Sequence, residues 1–247
     1  MASKLGSSFT SMFWRLKIGR AAGIDVFLHW SFFLAPAYIV FLRWQNGLAW
    51  SVIGILMVLL FAVFGCILLH EYGHALAARF FGVQTHDIII TPIGGLARLA
   101  KMPSDPLQEF AIALAGPLVN LSLSIGFAFY SIAMGQDLML TGGPDGLRQF
   151  PQLMFWLNLF LFLFNLIPAF PMDGGRILRS VLAVWLRHEN ATLIAGIVGQ
   201  ILAVLFVGYG IWHAEYQLSI IGVFVFLAAA AEITFRKRGR TDSPKRR

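Results

Sequence analysis

Six stretches of nearly uninterrupted apolar sequence, at residues 24–42, 51–81, 110–134, 153–186, 192–212 and 217–233, constrain this chain more than any other feature it has. A helix of about 20 apolar residues matches the ~30 Å hydrocarbon core of a bilayer. Six of them leave too little polar surface for folding in water. Composition agrees: 58% of the 247 residues are hydrophobic, 13% are charged, and the mean hydropathy is +0.74, well outside the range of soluble domains. The expected fold class is an all-α polytopic membrane protein of about six transmembrane helices. The second and fourth runs exceed one straight crossing, so each is expected to project beyond the bilayer or to break inside it.

A net charge of +7 raises the question of nucleic acid, but the basic residues lie between the apolar runs, which is where membrane orientation signals fall. All 19 basic residues except Arg43 and Arg148 fall in connections, or toward the ends of runs, that a six-span path puts on one side. The positive-inside rule then places both termini in the cytoplasm, and no nucleic-acid partner is expected. Residues 1–23 read as a cytoplasmic or interfacial segment with no cleavable signal, 24–235 as the membrane domain, and 236–247 as a basic cytoplasmic tail suited to anionic lipid. Between the second and third runs, residues 82–106 carry β-branched residues punctuated by Gly and Pro. A small membrane-associated β region is expected there. The single cysteine, Cys66, excludes an internal disulfide and any Cys-based zinc finger.

Near the end of the second run stands His70-Glu71-Tyr72-Gly73-His74, an HExxH motif in a helical context. Four residues make about one turn, so both imidazoles leave one helix face and can grip one zinc ion, with Glu71 beside them as general base. Ionisable groups in hydrocarbon are costly and point to function; the alternative is a buried polar cluster that bridges helices.

Catalytic zinc takes three protein ligands as a rule and leaves one position open. The candidate third ligand is Asp173, in NLIPAFPMDGGR (165–176), where Pro168, Pro171, Gly174 and Gly175 break the fourth run around its one acidic residue. Broken helices are tolerated in a bilayer where they line a polar cavity. Depth is compatible, since His74 lies about 10 Å before the end of its run and Asp173 about 9 Å before Arg179 at the helical rise. Asp173 could also be the N-cap of the helix that follows.

With these residues in view the chain resembles the site-2 protease family of intramembrane metalloproteases. HEYGH and FNLIPAFPMDGGR carry the resemblance, and AGPLVN (115–120) is similar to that family's G-P-x-x-N element, so it spans roughly residues 20–235. It implies a catalytic core from the second to fourth spans, about residues 51–187, with zinc on His70, His74 and Asp173 and with Glu71 as base. It also implies a single-span membrane-protein substrate, such as an anti-sigma factor or a membrane-held transcription factor, and a bacterial or archaeal cytoplasmic membrane. The sequence has no stretch long enough for the PDZ or CBS domains of some members, so it resembles the compact six-span branch. Selection would then fall to membrane contacts, the strand region or a separate regulatory membrane protein.

Peptide hydrolysis needs an extended substrate, because a helix hides its carbonyls. The segment 88–99, with Gly94 and Gly95, is expected to offer a strand edge for the unwound substrate, the alternative being an interfacial hairpin that only packs. Asn165, three residues before Pro168, is expected to orient substrate backbone or the developing oxyanion, while Asn120 and Asn158 read as interhelical hydrogen-bonding residues. Cys66, one turn before His70, reads as core packing. His29, His86, His188 and His213 lack ligand spacing, and Arg176 has Asp173 or lipid phosphate as partner. Two other functions compete: a transporter or channel, which also uses an intramembrane carboxylate at a broken helix, and an inactive scaffold, which the intact ligands and base oppose.

Overall fold

The computed structural model describes residues 14–47, 49–92, 94–100, 103, 105–140 and 149–241, the last seven of these by backbone alone. The segment before residue 14, the end of the basic tail and Arg148 lie outside the described residues. Among the described residues the protein is a helical membrane protein with one small sheet. Its elements fall into two compact units, Met1–Met102 with Leu118–Phe160, and Pro103–Pro117 with Leu161–Arg247.

The first unit begins with β1 (Arg15–Ala21) and β2 (Ile24–His29), then a 3-10 turn (Trp30–Phe33) and α1 (Leu34–Asn46). This corrects the first expected span. Residues 24–29 are a strand, in which buried Ile24 and Val26 alternate with partly exposed Asp25 and Phe27, and α1 has 13 residues, about 20 Å at the helical rise and short of the ~30 Å hydrocarbon core. A window of 20 residues averages strand, turn and short helix into one apolar run. α2 (Trp50–Phe80) follows without a proline. Gly82 stops it in a left-handed turn (φ 75°) while the Val83 N–H returns to the Ala78 carbonyl at 2.9 Å, the six-to-one bond of a Schellman cap.

β3 (Thr85–Thr91) and β4 (Gly94–Leu99) complete a sheet of order β1-β2-β3-β4, in which β2 and β3 are parallel and the other pairs antiparallel. The β region expected after the second span is therefore half of a larger sheet. Its apolar face joins Ile24, Ile88 and Ile90 to Phe64 and Ala75 of α2 in one core, which ties the sheet to the turns that carry the HExxH motif. Across the strands, Arg98 Nε donates to Asp87 Oδ1 at 2.5 Å, and Arg15 reaches the other carboxylate oxygen at 3.4 Å. The bond to Asp87 raises the Arg98 guanidinium above its ordinary range.

α3 (Pro106–Ala133) opens with Asp105, whose carboxylate accepts from the Leu107 N–H at 2.9 Å, and with Pro106 at the first helical position, where a missing N–H costs nothing. α4 (Phe150–Asn165), α5 (Asp173–Ala183), α6 (His188–Trp212) and α7 (Tyr216–Thr241) follow. The fourth expected span is thus two helices, broken where Pro168 and Pro171 predict. In the second unit, a Cβ on Gly174 would overlap the Leu166 and Ile167 carbonyl oxygens, and one on Gly175 would come within 2.7 Å of the Ala169 carbonyl carbon. Those two glycines let the 166–172 loop fold back onto the first turn of α5. α6 and α7 pack through small residues: Gly196 faces Ile233, and Gly222 faces Ala203 and Val207, as membrane helix pairs do. Long and apolar enough to cross a bilayer are α2, α3, α6 and α7 up to Thr234, while α4 is a shorter apolar helix. Exposed Trp44 and Trp50 lie at the facing ends of α1 and α2.

Candidate metal centre

His70 and His74 leave the same face of α2, 6% and 4% exposed. Their Nε2 atoms stand 3.1 Å apart, with the rings nearly edge to face at 82°. Two imidazole nitrogens on a tetrahedral zinc at 2.0–2.1 Å lie about 3.3 Å from each other. The pair is therefore set almost as a shared zinc would need it, and two histidines are the donor type that zinc favours.

Behind the pair, His70 Nδ1 meets Asn120 Oδ1 at 2.5 Å. Asn120 Nδ2 donates to Asn158 Oδ1 at 2.9 Å, and Asn158 Nδ2 donates to the Met154 carbonyl at 2.8 Å. Cys66 Sγ, 3.4 Å from Asn158 Nδ2, accepts from the same amide. Cys66 is buried.

Glu71 is half-buried, and its Oε2 accepts from the Ala97 N–H of β4 at 2.8 Å. Among the described residues β4 pairs only with β3 in the sheet order, so the carboxylate lies along the outer edge of the last strand. Gly95 belongs to the same contact. A Cβ there would stand 3.0 Å from Glu71 Oε1 and closer still to Cγ, so the absence of a side chain at 95 makes room for Glu71.

In the second unit Asp173 is the first residue of α5 and Met172 is its N-cap. The N-cap alternative for Asp173 is not what the backbone adopts, although an acid in the first turn still meets the positive end of the helix dipole. Arg176 Nη1 lies 3.7 Å from Asp173 Oδ1. Asn165 closes α4 and donates to the Leu161 carbonyl at 2.9 Å, which uses one of its two amide hydrogens. Pro168 sits in the loop between α4 and α5.

The sequence model of peptidase family M50 matches residues 58–150 and 143–208, a range that takes in HEYGH and Asp173. This chain belongs to peptidase family M50. The M50 chain is 35% identical over 222 residues to a zinc metalloprotease of Methanocaldococcus jannaschii, covering 90% of itself and 61% of that protein. It is 28% identical over 173 residues to stage IV sporulation protein FB of Bacillus subtilis, covering 70% of itself and 57% of that relative. It thus spans about three fifths of the length of these two curated relatives. Among solved structures, the site-2 protease from Methanocaldococcus jannaschii superposes with a TM-score of 0.64 at 33% identity, covering 89% of this chain and 95% of that one. The M50 chain therefore has the site-2 protease fold, and it is an integral membrane protein.

Two contacts of this M50 chain were not legible in its sequence. Asn120 and Asn158 read as interhelical hydrogen-bonding residues, and they do bond to each other, yet Asn120 also bonds a candidate metal ligand. The one available signal was Asn120 in the AGPLVN element. Ala97 bonds Glu71 through its backbone, which no side-chain pattern announces. The remaining histidines have other settings: His29 accepts from the Ser31 N–H at the start of the 3-10 turn, His188 lies 3.9 Å from Glu109, His213 stacks on Tyr209, and His86 is exposed.

Proposed function

We propose that this M50 chain is an intramembrane zinc metalloprotease that hydrolyses a peptide bond in or near the transmembrane segment of a membrane protein, with zinc held by His70, His74 and Asp173. The observation that carries the reading is the pair of buried imidazole nitrogens 3.1 Å apart, with Glu71 as the next residue on the same turn. Zinc bound there would polarise the scissile carbonyl and make water acidic near neutral pH. Glu71 takes the proton from the attacking water and passes it to the leaving amine. Its bond to the Ala97 N–H keeps the carboxylate beside β4.

The substrate enters as an unwound segment and adds along the outer edge of β4 at Gly94 and Gly95, main chain to main chain. Asn165 steadies the substrate backbone or the developing oxyanion through its amide, and Pro168 keeps the loop beside it from continuing as helix. A strand added there predicts disulfide cross-links from Leu96→Cys to every second residue of a cysteine-scanned substrate; cross-links without that alternation remove the strand proposal. The substrate class is a single-span membrane protein, such as an anti-sigma factor or a membrane-held transcription factor. A separate membrane protein can serve as regulator, and the protein resides in a bacterial or archaeal cytoplasmic membrane with both termini in the cytoplasm.

The test reconstitutes the purified protein with a panel of single-span membrane proteins. Cleavage is expected with zinc bound, complete loss after chelation, and recovery when zinc is returned. Proton or ion flux that survives chelation, with no member of the panel cut, would replace the protease by a transporter.

A further inference from the structure

The metal-binding nitrogen of His70 is selected from a distance. Asn120 and Asn158 are each 0% exposed, and a buried carboxamide has to satisfy its amide and its oxygen separately. The chain of bonds has one end whose polarity is beyond choice. The Met154 carbonyl can only accept, so the group 2.8 Å from it is the amide of Asn158. Asn158 must then turn its oxygen toward Asn120, and the group of Asn120 that meets it at 2.9 Å is an amide. That leaves the oxygen of Asn120 facing His70 Nδ1 at 2.5 Å. An amide oxygen accepts and never donates, so Nδ1 carries the ring hydrogen, and Nε2 keeps the lone pair that faces His74.

We infer that Asn158 is a positioning residue for the metal site: through Asn120 it fixes the ring flip and tautomer of His70 that present Nε2 to zinc. Asn120 alone would not suffice. An asparagine with no partner behind it presents amide or oxygen to an imidazole equally well, and amide toward Nδ1 stabilises the tautomer whose proton sits on the metal-binding nitrogen. The inference rests on the proposed zinc site, and its orienting logic is that of outer partners in metal centres generally, whose loss weakens metal binding about 10- to 100-fold.

The test compares wild type, Asn158→Leu and Asn158→Asp by two measurements: zinc affinity by chelator competition, and ¹⁵N ring signals of His70 in the metal-free protein. Asn158→Leu removes the bond to Asn120 and should weaken zinc binding about 10-fold, with ring signals shifting from one tautomer to a mixture. Asn158→Asp is the conservative variant. Its carboxyl accepts from the Asn120 amide in either protonation state, so affinity and ring signals should stay near wild type. A Cys66→Ser control leaves the polarity of the chain unchanged and should bind zinc as wild type does. Asn158→Leu with wild-type affinity and unchanged ring signals overturns the inference, as does loss of affinity in Asn158→Asp equal to that in Asn158→Leu. Wild-type protein that holds no zinc would instead sink the proposed function, and the ring signals of the metal-free proteins would still decide the role of Asn158.

Discussion

Glu71→Gln is expected to bind as much zinc as the wild type and to cut its substrate about a thousand times more slowly, within the 10²- to 10⁴-fold range of a lost general base. The substitution keeps the shape of the side chain and leaves an oxygen that can still accept from the Ala97 N–H, so fold and stability should hold. What it removes is the capacity to take a proton. Gly95→Val should give the same phenotype by another route, because its Cβ occupies space that the Glu71 carboxylate fills. Zinc content by atomic absorption and cleavage of one single-span substrate check both. Cleavage by Glu71→Gln at the wild-type rate would show that the proton goes elsewhere, and full activity in Gly95→Val would show that Glu71 need not lie along β4.

Arg179→Met should be the most destabilising single substitution in the second unit, at about 3–5 kcal/mol. Arg179 is 4% exposed and Glu109 1%. The guanidinium donates to Glu109 through Nε at 2.8 Å and again through Nη2, and to Glu232 through Nη1 at 2.7 Å. Its carbon lies 5.2 Å from the Phe170 ring centre. One residue of α5 thereby ties α3, α7 and the loop before α5 together. Methionine fills the space but takes the guanidinium away from the buried Glu109 carboxylate, leaving the His188 ring 3.9 Å from it. Arg179→Met with Glu109→Gln removes both charges and should recover most of the loss, since a buried pair replaced as a unit costs little. Thermal unfolding in detergent reads both variants. A single variant as stable as wild type, or a double variant no better than the single, would show that the pair does not hold this unit.

What the sequence made legible follows from how local each signal is. Four of the apolar runs became helices of crossing length because length and hydropathy alone decide that. The same averaging hid β2: Ile24, Val26 and Leu28 alternate with Asp25, Phe27 and His29, a strand period that a 20-residue window erases. The break in the fourth run was legible because Pro168, Pro171, Gly174 and Gly175 act on the backbone directly. The shared face of His70 and His74 follows from helical spacing. The fit of Gly95 to Glu71 did not, because it needs the distance between a strand and a helical residue 24 positions earlier in the chain. Gly95 was legible as a flat position for a substrate strand, and the structure supplies a nearer reason for glycine there. Asn158 drew its significance from a carbonyl four residues away and a helix 38 residues back, neither of which leaves a mark in composition or period.

An anomalous-scattering map collected at the zinc edge on crystals of the protein tests the proposed zinc site on His70, His74 and Asp173. A single strong peak is expected about 2.0–2.1 Å from His70 Nε2 and His74 Nε2 and about 2.0–2.2 Å from an Asp173 carboxylate oxygen. A map with no peak between the histidines, or a peak that Asp173 does not touch, would contradict it.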